Sequence, residues 1–228
     1  MRKKRKLYNK TTTVVFCIPG GPFSHNFLKS WTRLLGWCIN NNITPLLANP
    51  QNSVVYYARN LCLGGNTIEG KKQKPFQGKL KYDYLMWIDS DMVFEVDDFI
   101  NLIKMDKDIA SGIYKMEDNV NYATVEKLED DYYIKNGSYK FLNDDILKNK
   151  SDILEVDYTG FGWILFKKGI FEKLEYPWFR PLWKDFSSSI KEFTSEDVGI
   201  CQILREKNLK IYINKSIKVG HEKSWILK

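Results

Sequence analysis

Residues 84 to 94 read Tyr84-Leu85-Met86-Trp87-Ile88-Asp89-Ser90-Asp91-Met92-Val93-Phe94. A short apolar run ends abruptly in two carboxylates one residue apart. The run Tyr84 to Ile88 suits a strand buried on both faces of a parallel sheet. Open α/β sheets bind ligands at the carboxyl ends of their strands, so Asp89 and Asp91 fall at the expected edge of a site. Side chains two apart on extended chain point the same way. Two neighbouring carboxylates repel unless a proton or cation lies between them. A hard divalent ion carrying phosphate oxygens would relieve that repulsion. A surface loop holding two acids by chance is the competing reading.

Working outward, the chain before this strand alternates strand and helix signals. Thr13 to Ile18 is β-branched and apolar, and ends in Pro19-Gly20-Gly21-Pro22, a turn signal. Ser24 is placed to cap a helix running to about Asn41, with Phe27, Trp31, Leu34, Leu35 and Cys38 on one face. Ile43 to Ala48 reads as a second strand and Ser53 to Leu63 as a helix stopped by Gly64-Gly65. The Lys-, Gly- and Gln-rich stretch from Glu69 to Lys81 reads as a mobile loop. After the central strand, a helix capped by Asp97 or Asp98 is expected to run to about Met105, followed by a strand from Ile109 to Tyr114.

Beyond residue 115 the period changes. Tyr122 to Leu128, Tyr132 to Lys135 and Ser138 to Leu142 are short and alternating, and Asn136-Gly137 is a hairpin signal. Val156 to Phe166 reads as a strand and Gly169 to Leu174 as a short helix. The aromatic segment Tyr176-Pro177-Trp178-Phe179, with residues up to 188, is expected to be a lid. Ser195 is placed to cap a helix from Glu196 to Lys207; a strand (Lys210 to Ile213) and Val219-Gly220-His221 follow. This order gives the fold class: one α/β domain with a mixed, mostly parallel sheet flanked by helices and a small antiparallel ribbon. Residues 1–12 are assigned to a basic flexible tail and 13–228 to the domain, with a nucleotide-binding half (13–115) and an acceptor half (116–228).

Composition narrows the function. A hydrophobic fraction of 43% supports a substantial core. No apolar run approaches the roughly 20 residues of a membrane helix, and no signal peptide opens the chain. The net charge of +7 owes most to Arg2, Lys3, Lys4, Arg5, Lys6 and Lys10; six of 35 basic residues lie there, which leaves 29 against 28 acidic ones. Nucleic-acid binding through a broad basic face is therefore disfavoured. The tail itself suits a solvated end or attraction to anionic lipid. Cys17, Cys38, Cys62 and Cys201 form no C-x-x-C pair and read as reduced core residues of a cytoplasmic, unsecreted protein.

A strand ending in Asp-x-Asp and preceded by Ala58-Arg59-Asn60 resembles the nucleotide-sugar glycosyltransferases of the GT-A fold (family 2-like, Rossmann-like), and three later segments fit the same order. Asp157-Tyr158-Thr159-Gly160-Phe161-Gly162-Trp163 is similar to the family's Gly-containing segment beside donor sugar and acceptor. Glu196-Asp197 at a helix start is similar to its catalytic acidic pair, and Val219-Gly220-His221 to the stretch that often supplies a metal-binding histidine.

The resemblance implies a metal-dependent hexosyltransferase acting on a UDP- or GDP-sugar and a glycan or glycoconjugate acceptor. Mn²⁺ or Mg²⁺ would be held by Asp91, Asp89 and His221, with the imidazole favouring Mn²⁺. Pro19, Gly20, Arg59, Asn60, Asp89 and Ser90 would contact the nucleotide; Gly160, Phe161, Gly162, Trp163, Trp178 and Glu196 would line the donor-sugar and acceptor side. In an inverting enzyme Asp197 would be the general base, and Glu196 would bind acceptor hydroxyls. Each residue also has a structural reading: Arg59 as a salt bridge, Glu196-Asp197 as complements to a helix dipole, His221 as a buried histidine. Two rival functions compete. A haloacid-dehalogenase-like phosphatase would use Asp89 as nucleophile and Asp91 as acid/base, although its motif normally opens the first strand. A non-catalytic nucleotide- or glycan-binding domain is the other.

Overall fold

A computed structural model describes residues 11–223. A seven-stranded mixed sheet forms the centre of one α/β domain. In chain order the elements are β1 (Thr12–Cys17), α1 (His25–Asn40), β2 (Ile43–Ala48), α2 (Val55–Cys62), β3 (Tyr84–Ile88), β4 (Met92–Val93), α3 (Val96–Lys104) and β5 (Ile109–Ile113). Then follow β6 (Asn121–Val125), α4 (Asp130–Asn136), β7 (Phe141–Asn143), α5 (Asp144–Leu147), β8 (Ile153–Val156), β9 (Tyr158–Thr159) and β10 (Trp163–Lys167). The chain closes with β11 (Trp183–Asp185), β12 (Lys191–Phe193), α6 (Glu196–Glu206), β13 (Ile211–Lys218) and β14 (Gly220–His221).

The main sheet has the order β2-β1-β3-β10-β5-β13-β8. β10 runs against both its neighbours and β8 against β13, while the other pairings are parallel. The reversed β10 matters for function. Its beginning, not its end, lies beside the end of β3: Trp163 is paired with Ile88, and the Asp89 N–H donates to the Gly162 carbonyl at 3.2 Å. Three small antiparallel sheets complete the architecture: β11-β12, β14-β4, and β7-β6-β9.

β3 shows why the chain folds this way. Leu85, Met86, Trp87 and Ile88 have no solvent exposure, and fully burying each such side chain contributes about 1.5–3 kcal/mol. Their alternation feeds two cores. Leu85 and Trp87 join the layer containing Ile200, Cys201 and Leu204 of α6 and the aromatics Phe161, Phe171, Trp178 and Phe179. Met86 and Ile88 join the layer containing Phe27, Leu34 and Cys38 of α1 and Phe99 and Leu102 of α3. All four cysteines are free and buried.

Several local expectations are corrected. Asn136-Gly137 is a helix end, not a hairpin: Gly137 is left-handed at φ 70° and its N–H donates to Tyr133 O at 2.8 Å. The same glycine chemistry serves a hairpin turn and a helix C-terminus; Asp130 and Asp131, in the first turn, carry the helix signal that decides it. The stretch from Glu69 to Lys81 is an organised loop. The Gln73 side chain accepts from Asn66 N–H and donates to the carbonyls of Asn66 and Gly70, and Pro75 is buried. Glu95, not Asp97 or Asp98, caps α3, with Asp98 closing a reciprocal capping box.

Val156 to Phe166 is broken into the end of β8, β9 and β10, and Gly169 to Leu174 holds only a 3₁₀ turn at Phe171–Lys173. The expected lid divides: Trp178 and Phe179 are fully buried, and the later part joins the β11–β12 hairpin. The basic residues at positions 2–6 and 10 lie outside the described residues. None of the described helices is long and apolar enough to cross a membrane.

Candidate functional site

The carboxyl edge of β1, β3, β5 and β13, with the start of β10, collects most of the residues singled out above. Arg59 stands at the centre. It projects from α2 and its side chain is only 4% exposed. Its Nη2 lies 3.0 Å from Asp89 Oδ1 and 3.3 Å from Oδ2, and its Nε donates to Glu196 Oε1 at 3.2 Å. The guanidinium carbon also sits 5.5–5.9 Å from the rings of Trp87, Phe161 and Phe179. Burial works against this charge, but Asp89, Glu196 and Asp197 more than offset it and hold the group above its ordinary pKa. Nη1 is buried and makes no hydrogen bond to the described residues.

Arg59 thus ties together two acid pairs that are more than 100 residues apart in sequence. Each pair is divided by it. Asp89 and Glu196 point to the arginine; Asp91 and Asp197 have other partners. Glu196 is pushed up by burial and by the adjacent Asp197, with Arg59 acting against that shift. The Asp197 carboxylate is half-buried and accepts three hydrogen bonds: from Tyr158 Oη at 2.8 Å, from Val198 N–H at 2.8 Å and from Ser195 Oγ. Ser195 therefore serves the carboxylate, and its side chain does not cap the helix.

Asp91 faces His221 and Lys223. His221 Nε2 is 3.1 Å and Lys223 Nζ 2.8 Å from Asp91 Oδ2. β14 and the two residues after it deliver these side chains: His221 is paired with Met92 of β4, and the Glu222 N–H donates to Asp91 O at 2.8 Å. Glu222 in turn accepts from Ser24 Oγ and Asn26 Nδ2 at the start of α1. Burial raises the Asp91 carboxyl, but the hydrogen bonds and charges of His221 and Lys223 bring it down to about 2. Burial lowers His221, and Asp91 with the Lys115 carbonyl outweighs it, so the imidazole sits above its usual value.

The fit of a divalent cation can be judged from this pair. His221 Nδ1 lies 2.8 Å from the Lys115 carbonyl, which can only accept, so Nδ1 carries the hydrogen. In the neutral ring Nε2 is then a bare lone pair aimed at a carboxylate oxygen. The Lys223 ammonium, 2.8 Å from the same oxygen, already supplies positive charge there; a proton on Nε2, or a cation displacing that ammonium, would join imidazole and carboxylate. A carbonyl fixing the far ring nitrogen is the usual support of a ligating histidine. Asp91 and His221 thus fit a cation. Asp89 is turned to Arg59 and does not join them. Among the described residues, no three His, Cys, Asp or Glu side chains converge as a ready-made metal cage.

Gly160 and Gly162 are needed for close packing. A β-carbon at Gly160 would overlap the Tyr114 hydroxyl, and one at Gly162 would lie 2.9 Å from the Tyr114 ring. The Gly162 N–H donates to Tyr114 Oη at 3.1 Å, and the Tyr114 ring stands edge-on to His221 at 5.3 Å. Pro19 and Gly20 end β1 at the same edge. Asn49 Nδ2 donates to the carbonyls of Ile18 and Gly20 there. Ser90 is half-buried between the two aspartates.

Some expected contacts do not fit. Phe161, Trp163 and Trp178 are buried to within 1% and cannot present a ring to a sugar. Asn60 spends its amide on the protein, donating to Phe179 O and Tyr56 O and accepting from Phe179 N–H. Other residues were not singled out from sequence. Tyr158 was within a quoted motif, but nothing in the chain marked its hydroxyl for Asp197, 39 residues away. Lys223 and Tyr114 reach the site only because β14 and β5 end there.

No protein-family model matches the chain, and no curated protein matches it in sequence. Among solved structures, that of A197 from STIV superposes with a TM-score of 0.55 at 18% identity, covering 93% of this chain and 86% of that one. The inositol-1-phosphate CTP transferase from T. maritima gives a TM-score of 0.44 at 9% identity over 95% and 91% of the two chains, a similarity too loose to bear on function. The chain is an α/β protein similar in fold to A197 from STIV.

Proposed function

We propose that this protein is a metal-dependent glycosyltransferase that moves a sugar from a nucleotide-diphosphate sugar to a hydroxyl acceptor with inversion. The observation carrying this reading is the division of the two acid pairs by Arg59. It leaves Asp91 beside a pre-oriented histidine and Asp197 under a tyrosine hydroxyl, at one sheet edge.

Asp91 and His221 would hold the cation, Mn²⁺ fitting the mixed carboxylate–imidazole pair. When bound, it would neutralise charge on the departing diphosphate. Asp197 takes the proton of the acceptor hydroxyl as the acceptor oxygen bonds to the anomeric carbon; the bond from that carbon to the phosphate oxygen breaks, and its electrons leave with the diphosphate. Tyr158, Ser195 and the Val198 N–H orient the carboxylate for that task. Arg59 fixes Asp89 and Glu196. The phosphatase reading asks for Asp89 as a free nucleophile, whereas both its oxygens lie within 3.3 Å of Arg59 Nη2.

The test is a thermal-shift panel of UDP, GDP, CDP and ADP, each with and without Mn²⁺. Stabilisation by one or two of them only in the presence of metal is expected, about 2.7 kcal/mol at 100 times the dissociation constant. No shift with any nucleotide would overturn the proposal.

A further inference from the structure

Away from the acid pairs, the β11–β12 hairpin presents two large aromatic side chains to solvent. Trp183 is 55% and Phe193 61% exposed. They are cross-strand partners, ring centroids 4.6 Å apart at 73°. Phe23 and Tyr57 are also exposed, at 42% and 52%, but here two aromatic rings stand side by side on a hairpin that is not loose. On its opposite face Phe186 stacks on Tyr133 of α4 at 4.2 Å, and Lys184 contacts Asp130 and Tyr139 Oη. At its base Leu182 and Thr194 exchange two hydrogen bonds of 2.9 Å. Gly199 lets α6 press against the Arg180 carbonyl, where a β-carbon would collide. Hairpin and helix are thus one built unit.

Between them runs a groove of about 520 Å³, lined by Trp183 and Asp185 on one wall and Gln202, Arg205 and Glu206 of α6 on the other. α6 begins with Glu196-Asp197. At about 1.5 Å per residue, Arg205 lies roughly 12 Å along the axis from Asp197. The groove therefore lies along the C-terminal half of the helix whose first turn carries the acidic pair.

Its cations are already paired: Arg205 bridges to Asp157 at 3.0 Å and Lys184 to Asp130 at 2.6 Å, while Asp185 is held by Lys191 at 3.3 Å. Glu206 is exposed and forms no ion pair with the described residues, so its carboxylate also repels an anion. An anionic ligand would have to compete with those carboxylates. What remains on offer is an apolar indole face flanked by hydrogen-bonding groups of both kinds. That combination matches a neutral polyhydroxylated ring, apolar on its face and polar at its rim.

We propose that this groove is a carbohydrate subsite that binds a neutral oligosaccharide acceptor beyond the sugar being modified, with Trp183 as its stacking platform. The proposal rests on the glycosyltransferase reading for the direction of transfer, but its binding step can be tested without it. Isothermal titration of the full chain with cello-, malto- and chito-oligosaccharides of one to five units is the experiment. For at least one series, affinity should rise with length from one to three units. Trp183→Ala should weaken the trisaccharide about ten-fold and leave the monosaccharide unchanged; Trp183→Phe should recover part of the loss. Gln202→Ala should cost about five-fold. Hydrolysis of the nucleotide-sugar by water should be the same in Trp183→Ala as in the parent, which also shows that the variant is folded.

Absence of binding by every series, or equal affinity of parent and Trp183→Ala for the trisaccharide, would overturn the subsite. Length-dependent binding without turnover of any nucleotide-sugar would keep the subsite and remove the transferase reading. Turnover with no chain-length response would do the reverse.

Discussion

The acid pairs Asp89-Ser90-Asp91 and Glu196-Asp197 look alike as text and are built differently. The first follows a strand buried on both faces, and its geometry comes from extended chain. The second opens a helix, where acids also complement the dipole. Both are split by the same buried cation. Asp89 and Glu196 are held by Arg59, whereas Asp91 and Asp197 are oriented by neighbours of their own. One arginine thus engages one acid of each pair and leaves the other to neighbours of its own; in the proposed function those others are the acids that act. The pairs are a sequence feature; the division is a property of the fold.

The strongest way to break this symmetry is to remove its centre. Arg59→Ala leaves two carboxylates facing a buried site, and such a change typically costs about 3–5 kcal/mol. A lower urea midpoint with an unchanged slope is the expected result, and Arg59→Lys should lose less because the charge stays while the fork is lost. Asp197→Asn should reduce transfer by about 10²- to 10⁴-fold while nucleotide binding is retained; near-normal turnover would remove Asp197 as base. The matching change on the other pair, Asp91→Ala, should abolish the metal-dependent part of nucleotide stabilisation, about 2.7 kcal/mol at saturating ligand, and leave the fold intact.

Gly160→Ala sharpens the comparison by forcing Tyr114, which packs edge-on to His221, out of its place. Overpacking of this kind costs about 1–3 kcal/mol, and Tyr114→Phe should recover part of it in a double-mutant cycle. The smallest effect is on pH dependence. Asp91 sits at about 2 against an ordinary 3.8, a depressed acid. Its contribution to stability is present above pH 4 and is lost as pH falls through about 2. Asp91→Asn should flatten that acid limb in a pH series of thermal midpoints.

The strand–helix order to β5 was legible because each element is long enough to show its period. Ser24 does cap α1, and Tyr84 to Ile88 is β3 to the residue. Reading weakened where one signal serves two structures. Gly137 terminates a helix although Asn-Gly more often turns a hairpin. A Lys- and Gln-rich loop is ordered by a single glutamine side chain turned inward. Among the aromatics, composition could not separate Trp178, sealed in the core, from Trp183, which stands in solvent.

The sequence by itself determined that a buried strand ends in two acids and that another acid pair opens a late helix; that an arginine, two glycines and a histidine share a site was what the resemblance implied. The acid pairs are local facts of residue type and spacing. Only the tertiary structure decided which of each pair is neutralised, which nitrogen of His221 faces Asp91, and that Tyr158 and Lys223 belong to the site. The physical reason is that these properties depend on distances of a few ångströms between residues 30 to 140 positions apart. The reversed β10 and the return of β14 to β4 set those distances through backbone pairing, and no side chain in either segment announces them.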